Sequence, residues 1–243
     1  MLSAKDRLIV ALDVDTMEEA QRLVELLSDH VGMFKVGMQL YNSAGPEVVR
    51  MIQRQRGKVF VDLKFHDIPN TVAHAGAVIT RLGVDIYNVH AAGGAEMMKK
   101  TAEATRLEVM ESGRLKPLVI AVTVLTSIDQ TTLNEEIGIP GEMESQVVRF
   151  AQLAKESGLD GVVASPREVR AIRAACGDDF ALVIPGIRPA WAAANDQKRI
   201  MTPKEAICAG ATYLVVGRPI TASHDPVSAA QRVVKEIEEG LAC

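Results

Sequence analysis

The sequence lacks most features that mark secreted, membrane-bound or metal-binding proteins. No apolar run in its 243 residues approaches the roughly 20 residues that a transmembrane helix needs, and its first residues lack a signal-peptide pattern. Its three cysteines, Cys176, Cys208 and Cys243, are widely spaced and form no metal or redox motif. We therefore expect a cytoplasmic protein, in a reducing compartment, that has no membrane partner.

Further absences concern ligands and partners. The net charge is −4 and there is no block of lysine or arginine, which argues against nucleic-acid binding. The histidines show no H-x-H or H-x-x-x-H spacing, so no metal site is expected. The dinucleotide-binding pattern G-x-G-x-x-G is missing after the first apolar run. An anionic small molecule would have to bind in a local cationic pocket.

What the sequence does contain is a regular alternation of apolar runs with helical segments. The runs are rich in β-branched residues, and such near-continuous hydrophobicity is typical of parallel strands that are covered on both faces. The predicted strands are residues 8–12, 34–38, 59–63, 85–89, 118–125, 161–164, 181–184 and 213–216.

The helices between these strands have recognisable ends. Capping boxes begin at Thr16, Ser165 and Thr202, and Gly158 and Gly210 occupy positions where helices should end. Strands that alternate with helices without a linker predict an α/β fold, a single (β/α)8 TIM barrel over residues 1–243. A doubly wound open sheet is the structural alternative. Two longer loops, 126–141 and 186–201, interrupt the alternation and are candidates for functional lids or disordered segments.

The densest group of charges is the stretch D-L-K-F-H-D-I-P-N-T, residues 62–71, at the end of the third strand. Side chains alternate along a strand, so Asp62 and Lys64 should share a face, and Asp67 follows in the loop. Ions at the end of a buried strand carry a desolvation cost of several kcal/mol. A surface ion pair is the ordinary interpretation of such a pattern, but this strand is too apolar for it.

Charged residues at two neighbouring strands extend this group. Asp13 follows the first strand, and Lys35 lies in the second. In a parallel barrel the carboxyl ends of the strands meet at one rim, where catalytic side chains are found. If their faces point inward, these two residues converge with Asp62 and Lys64 into an alternating row of acids and bases. A salt bridge at the rim is the alternative for any one of them.

The last two strands end in glycine and arginine. Gly186 and Arg188 follow the seventh strand, and Gly217 and Arg218 follow the eighth. The loops after strands seven and eight are the usual phosphate site of this architecture. Glycine lets the backbone approach a ligand closely, and the arginine fork matches phosphate oxygens, so we expect an anion to bind here.

The stretch 62–71 resembles the signature of the orotidine 5'-phosphate decarboxylase family. Residues 11–13, 35–37, 124–127, 185–188, 196–199 and 216–219 resemble its other blocks in the same order. The similarity spans residues 8–220 and is greatest to the short bacterial form. It implies a barrel of the ribulose-phosphate-binding type, and a homodimer that converts orotidine 5'-phosphate to UMP and CO₂, the last step of de novo UMP synthesis, without metal or organic cofactor.

The resemblance also implies a role for each site residue. Lys64 would protonate C6 of the pyrimidine, Asp62 would lie against the departing carboxylate, and Lys35 would bridge the acids and the ribose. Asp67, with Thr71, would enter the partner subunit's site. Substrate contacts would also come from Asp13 at a ribose hydroxyl, Thr126 and Gln197 at the pyrimidine or phosphate region, and Arg188, Gly217 and Arg218 at the phosphate.

These residue types suit the implied chemistry. Loss of CO₂ from C6 leaves an electron pair in the ring plane, where neither ring carbonyl delocalises it well. Without a cofactor as electron sink, the protein must stabilise this charge electrostatically. An ammonium group at that carbon would both stabilise the anion and supply the proton.

Two other functions stay open from the residues alone. Related phosphate-binding barrels share D-x-K-x-x-D but act on sugar phosphates with Mg²⁺, as decarboxylases or aldol-type synthases. A non-catalytic nucleotide-binding barrel is the second alternative, although the retention of Lys64 and its acidic neighbours argues against it.

Overall fold

The computed structural model describes residues 2–192 and 201–243, and it contains a closed parallel barrel. The strands are Leu8–Ala11 (β1), Met33–Gly37 (β2), Val59–Phe65 (β3), Ile86–His90 (β4), Leu118–Val122 (β5), Gly161–Val163 (β6), Ala181–Ile184 (β7) and Tyr213–Val216 (β8). They pair in chain order, and β8 closes the barrel by pairing with β1. The barrel is the predicted architecture, and its closure rules out the open sheet.

Helices follow the strands and surround the barrel. They are Met17–Leu27 (α1), Met38–Ala44 (α2), Glu47–Arg54 (α3), Pro69–Arg81 (α4), Gly94–Ser112 (α5), Met143–Glu156 (α6), Val169–Cys176 (α7), Pro203–Cys208 (α8), Arg218–Thr221 (α9) and Pro226–Leu241 (α10). Within the described ranges, none of them combines the length and apolar character that a membrane span requires.

The helix ends use the predicted caps. The Thr16 hydroxyl accepts a hydrogen bond from the Glu19 N–H at the start of α1. Thr202 and Glu205 form a reciprocal capping box at the start of α8. Ser165 caps a short 3-10 turn that runs directly into α7. The two predicted terminal glycines follow α6 and α8 with positive φ angles, so the local sequence determines where these helices begin and end.

Most strand ends lie within one residue of the prediction, and two differ from it by more. β3 continues to Phe65, which pairs with Val89 of β4 beyond an irregularity in the register. β5 ends at Val122 and not at residue 125, and just beyond that end the N–H and the hydroxyl of Thr123 both donate to the Val163 carbonyl. The apolar residues 124 and 125 belong instead to the lining of a cavity.

The barrel interior changes character along its axis. Its apolar cluster comprises Ile9, Ala11, Met33, Phe60, Ile86, Ile120, Val183, Tyr213 and Val215. Two residues further towards the carboxyl ends of β2, β3 and β4, the same inward face carries Lys35, Asp62 and Asn88. The apolar floor thus lies directly below a polar layer at the rim.

One covalent contact has no counterpart in the sequence pattern. Cys208, at the end of α8, forms a disulfide with Cys243. A Cβ at Gly240 would lie 2.7 Å from the Lys204 carbonyl oxygen and 2.8 Å from Ile207 Cβ. Glycine therefore permits the close approach of α10 to α8 that brings the two cysteines together, a tertiary contact that their spacing does not indicate.

Arg173 of α7 ties together the amino-terminal ends of two strands. Its guanidinium donates to the carbonyls of Gly177, Asp178 and Phe180 before β7, and of Gly210 before β8. We predict that Arg173→Met lowers the free energy of unfolding by about 2–3 kcal/mol, because these carbonyls, of which those of Phe180 and Gly210 are part-buried, lose a charged donor. Urea denaturation followed by circular dichroism measures this difference.

Arg170→Met is the matched control, since Arg170 is exposed on the same helix. We expect it to change the free energy of unfolding by no more than about 0.5 kcal/mol. Equal effects of the two substitutions would show that the carbonyl contacts of Arg173 are not the source of stability.

Candidate active site

The four charged side chains predicted to converge do so at the carboxyl rim of the barrel. Lys35 Nζ lies 3.1 Å from Asp13 Oδ1 and 3.4 Å from Asp62 Oδ2. Lys64 Nζ lies 2.7 Å from Asp62 Oδ1. We call Asp13, Lys35, Asp62 and Lys64 the charged row. The alternation of acids and bases across three adjacent strands is confirmed.

The centre of the charged row is withdrawn from solvent. Lys35 and Asp62 are each 9% exposed, whereas the side chain of Asp13 is 61% exposed. Burial by itself would raise the pKa of Asp62, but the ammonium groups of Lys35 and Lys64 and the hydrogen bonds from Lys64 and Asn88 hold that pKa below its ordinary value. Asp62 is therefore ionised at neutral pH and carries the negative charge at the centre of the row.

The backbone at Lys64 is unusual for a lysine. Its φ angle is +53°, in the left-handed region, which costs a non-glycine residue about 1–2 kcal/mol. The residue lies in the irregularity between β3 and β4, where the pairing advances from Val61–Tyr87 to Phe65–Val89. More residues of β3 than of β4 occupy this interval, so the strand bulges at the point where its charged side chains are needed.

Asn88 is a site residue that the sequence analysis missed. It is completely buried on β4, donates from Nδ2 to Asp62 Oδ1 at 2.7 Å, and accepts at Oδ1 from the Lys64 N–H at 2.8 Å. The sequence offered one signal for this role: Asn88 is an amide between Tyr87 and Val89, on the strand face that it shares with Ile86. An amide inside an apolar strand needs partners, and the neighbouring strand offered charged ones.

Two adjoining cavities open beside the charged row, and Lys35 lines both of them. The first, of about 200 Å³, is mostly apolar and also contains Asp62, Lys64 and Thr126 among Phe60, Val122, Val124, Leu125, Val163, Val183, Pro185 and Val215. The second, also about 200 Å³, is lined by Asp13, Gly186, Arg188, Gly217 and Arg218, among others. One cavity suits a flat ring, and the other suits an anion.

A larger hollow, of about 560 Å³, lies at the opposite end of the barrel, around Asp160, Asp178 and Tyr213. It opens at the amino-terminal ends of β5 to β8, whereas barrels of this architecture place their chemistry at the carboxyl ends. It also lacks the charged row. Size alone therefore does not identify the site.

The predicted anion-binding residues occupy the second cavity. Arg188 is 7% exposed, and its N–H donates to the Met201 carbonyl at 3.0 Å, so the described ends of the loop 186–201 lie side by side. A glycine is also favoured at position 37 beside the charged row. A Cβ on Gly37 would lie 3.1 Å from Lys35 Nζ and would crowd that ammonium group. Gln197 lies outside the described residues.

The remaining predicted residues are exposed at the rim. Asp67 and Thr71 face solvent, and in the described part of the chain neither forms an ion pair or side-chain hydrogen bond with the charged row. The Asp67 carboxylate accepts from the N–H of Ile68, which is 66% exposed. In the described part of one chain these residues therefore stay apart from the charged row.

A pair of histidines borders the charged row. The rings of His66 and His90 stack with their centroids 5.3 Å apart. Burial lowers the pKa of His90, and the nearby His66 and Lys64 lower it further, while Asp62 opposes the shift. The imidazole of His90 is therefore held neutral at neutral pH and adds no charge to the row.

Comparisons with known proteins agree with this geometry. The family model described as orotidine 5'-phosphate decarboxylase / HUMPS family matches residues 6–233. An orotidine 5'-phosphate decarboxylase of Heliobacterium modesticaldum is 57% identical over 241 residues, 99% of this chain and 99% of the relative. One from Moorella thermoacetica is 56% identical over 98% of this chain and 94% of the relative.

A solved structure shows the same similarity in three dimensions. The orotidine 5'-phosphate decarboxylase from Lactobacillus acidophilus superimposes with a TM-score of 0.84 and 40% identity, over 95% of this chain and 98% of that chain. Sequence similarity over nearly the full length, the closed barrel and the charged row lead to one conclusion. The chain belongs to the orotidine 5'-phosphate decarboxylase / HUMPS family.

Proposed function

We propose that the chain is a carboxy-lyase that converts orotidine 5'-phosphate to UMP and CO₂, with Lys64 as the proton donor. The observation that carries this proposal is the charged row, in which a lysine ammonium lies 2.7 Å from a buried carboxylate beside an apolar cavity. Relatives named for this activity match over nearly their full length, which supports the substrate. We also propose a cytoplasmic location, since the reaction belongs to de novo UMP synthesis.

The two cavities suggest how the substrate lies. The pyrimidine would occupy the apolar cavity, in contact with Phe60 and Thr126, with C6 towards Lys64. The ribose would lie against Asp13 and Lys35, where the cavities adjoin. The phosphate would then meet Arg188, Gly217 and Arg218, with Gln197 as a further proposed contact.

The reaction needs a negative charge to form and then disappear at C6. The C6–carboxylate bond breaks, its electron pair stays on C6, and Lys64 Nζ–H supplies the proton that forms the new C–H bond. Lys64 then regains a proton from solvent. The fixed ammonium stabilises the developing anion, and Asp62 adds repulsion against the departing carboxylate, which CO₂ release relieves.

Binding energy far from C6 must contribute as well. Enzymes lower barriers by up to about 23 kcal/mol in favourable cases, far more than one ion pair supplies. Interactions with a remote phosphate can be used to align the reacting groups. Arg188 and Arg218 would serve this purpose, and the loop 186–201 begins at the same place.

We propose that the functional unit is a homodimer. In each chain, residues 1–243 would form one barrel domain. The support is the exposure of Asp67, Ile68 and Thr71 at the rim beside the charged row. A carboxylate and an apolar side chain exposed together suit burial against a second copy. Asp67 would thereby complete the site of the partner.

Lys64→Ala should remove turnover while preserving nucleotide binding. We expect kcat to fall by at least about 10⁴-fold, because both the proton donor and the stabilising charge are lost. Loss of orotidine 5'-phosphate absorbance measures the rate, and calorimetry with UMP measures binding. Lys58→Ala, which changes an exposed lysine at the other end of β3, is the control. A Lys64→Ala rate close to that of Lys58→Ala would remove Lys64 from the mechanism.

Arg218→Ala should act through the phosphate. We expect KM for orotidine 5'-phosphate to rise by about 10- to 100-fold, since hydrogen bonds to a charged group are lost. Orotidine, which has no phosphate, is the internal control, and its kcat/KM should be the same for wild type and variant. An equal loss with both substrates would place Arg218 away from the phosphate.

The shared site can be tested with mixed dimers. Lys64→Ala and Asp67→Ala chains should each be nearly inactive alone, but a one-to-one mixture after dissociation and reassociation should regain about a quarter of the wild-type activity. Half of the randomly formed dimers are mixed, and one of their two sites then has both residues. Absence of recovery, with mixed dimers verified by mass spectrometry, would show that Asp67 does not cross the interface.

A further inference from the structure

Asn88 connects two residues of the charged row, Asp62 and Lys64, to strand β4 of the barrel wall. It lies on β4, is 0% exposed, and faces the interior two residues above Ile86. None of the substrate-facing roles proposed above includes it. Its burial means that it acts on the reaction only through the groups that it touches.

The hydrogen bonds of Asn88 leave it no alternative orientation. Nδ2 donates to Asp62 Oδ1, and Oδ1 accepts from the Lys64 N–H. A flipped amide would place its oxygen against a carboxylate and its NH₂ against an N–H donor. The carboxamide therefore fits this pair of neighbours in one way only.

The same contacts assign both oxygens of Asp62. Oδ1 accepts from Lys64 Nζ and from Asn88 Nδ2, each at 2.7 Å, while Oδ2 faces Lys35 Nζ at 3.4 Å. Rotation of the carboxylate would move Oδ1 away from both of its donors. Asn88 thus fixes the plane in which Asp62 meets the two lysines.

The contact with the Lys64 N–H concerns the backbone. At this bulge the strand pairing skips from Val61–Tyr87 to Phe65–Val89, and a side chain on β4 accepts the N–H of Lys64. This hydrogen bond holds Lys64 in its left-handed conformation, with φ of +53°. The direction in which the lysine side chain leaves the strand depends on that conformation.

We propose that Asn88 is a positioning residue for decarboxylation, which fixes the Asp62 carboxylate and the Lys64 backbone so that the ammonium is aimed at the reacting carbon. The inference rests on the proposed roles of Lys64 and Asp62. It assigns to β4 a part in the chemistry although Asn88 itself does not touch the substrate.

Two substitutions separate the two contacts. Asn88→Leu removes both hydrogen bonds at similar volume, and we expect kcat to fall by about 10²-fold, the effect of misplacing a reacting group by about 1 Å. KM and UMP affinity should stay within about threefold of wild type, because the loss occurs only in the transition state. Asn88→Asp keeps an acceptor for the Lys64 N–H but places a second carboxylate against Asp62.

The pH profile of kcat gives a readout that a purely structural role would not change. Asn88 helps to hold the pKa of Asp62 low, so its loss raises that pKa, and more strongly in Asn88→Asp, where two carboxylates share the site. Activity needs ionised Asp62, so the acid limb should move to higher pH in both variants. The other titratable groups around Asp62, namely Lys35, Lys64 and, beyond them, Asp13 and the neutral His90, are unchanged.

Thr105→Val is the matched control. Thr105 is fully buried, and its hydroxyl forms a hydrogen bond with Tyr87, which lies on the outward face of β4, the strand of Asn88. Loss of the Thr105 hydroxyl should lower stability without changing kcat or the pH profile. Thermal unfolding and UMP calorimetry establish that each variant is folded.

Each outcome decides the inference. A folded Asn88 variant with kcat within about threefold of wild type, an unmoved acid limb, or a kcat loss matched by Thr105→Val would overturn it. Failure of both Asn88 variants to fold and bind UMP would also overturn it, because Asn88 would then be a determinant of stability alone. An inactive wild-type chain would contradict the proposed decarboxylation instead, so the two failures are distinguishable.

Discussion

The contact between the Asp62 carboxylate and two lysine ammonium groups is the interaction on which the rest of the site depends. An ion withdrawn from water carries a penalty of several kcal/mol, which its partners must offset. Lys35 and Lys64 each contact one oxygen of Asp62, so movement of either lysine takes a counter-charge away from the buried carboxylate. This mutual dependence keeps the charges in place before substrate arrives, which is the condition for electrostatic catalysis.

The barrel supplies this arrangement through the period of its strands. Met33, Phe60 and Ile86 fill the interior, and the next inward residues of the same strands are Lys35, Asp62 and Asn88. Packed apolar side chains below the charges exclude water from that side and strengthen each electrostatic interaction. The charged row therefore gains its rigidity from the floor beneath it as much as from its own contacts.

Much of this could be predicted from the sequence, because alternation along a strand is local information. The eight strands and the convergence of the charged row follow from it. The role of Asn88 does not, since its partners depend on the register between β3 and β4, which the bulge shifts. The positive φ of Lys64 and the Cys208–Cys243 pair likewise arise from tertiary contacts. Gln197 lies outside the described residues, and the dimer, which no intrachain contact tests, stays a proposal.

Lys35 links the two halves of the site. Within the described residues, it is the charged side chain common to both cavities, and it contacts Asp13 on one side and Asp62 on the other. A ligand that spans the cavities must pass this ammonium, so under the proposed function its ribose hydroxyls would meet the same group that balances Asp62. Phosphate binding at the far end would then constrain the ligand against the charged row. In the proposed mechanism, recognition and chemistry would in this way be coupled through one buried cation.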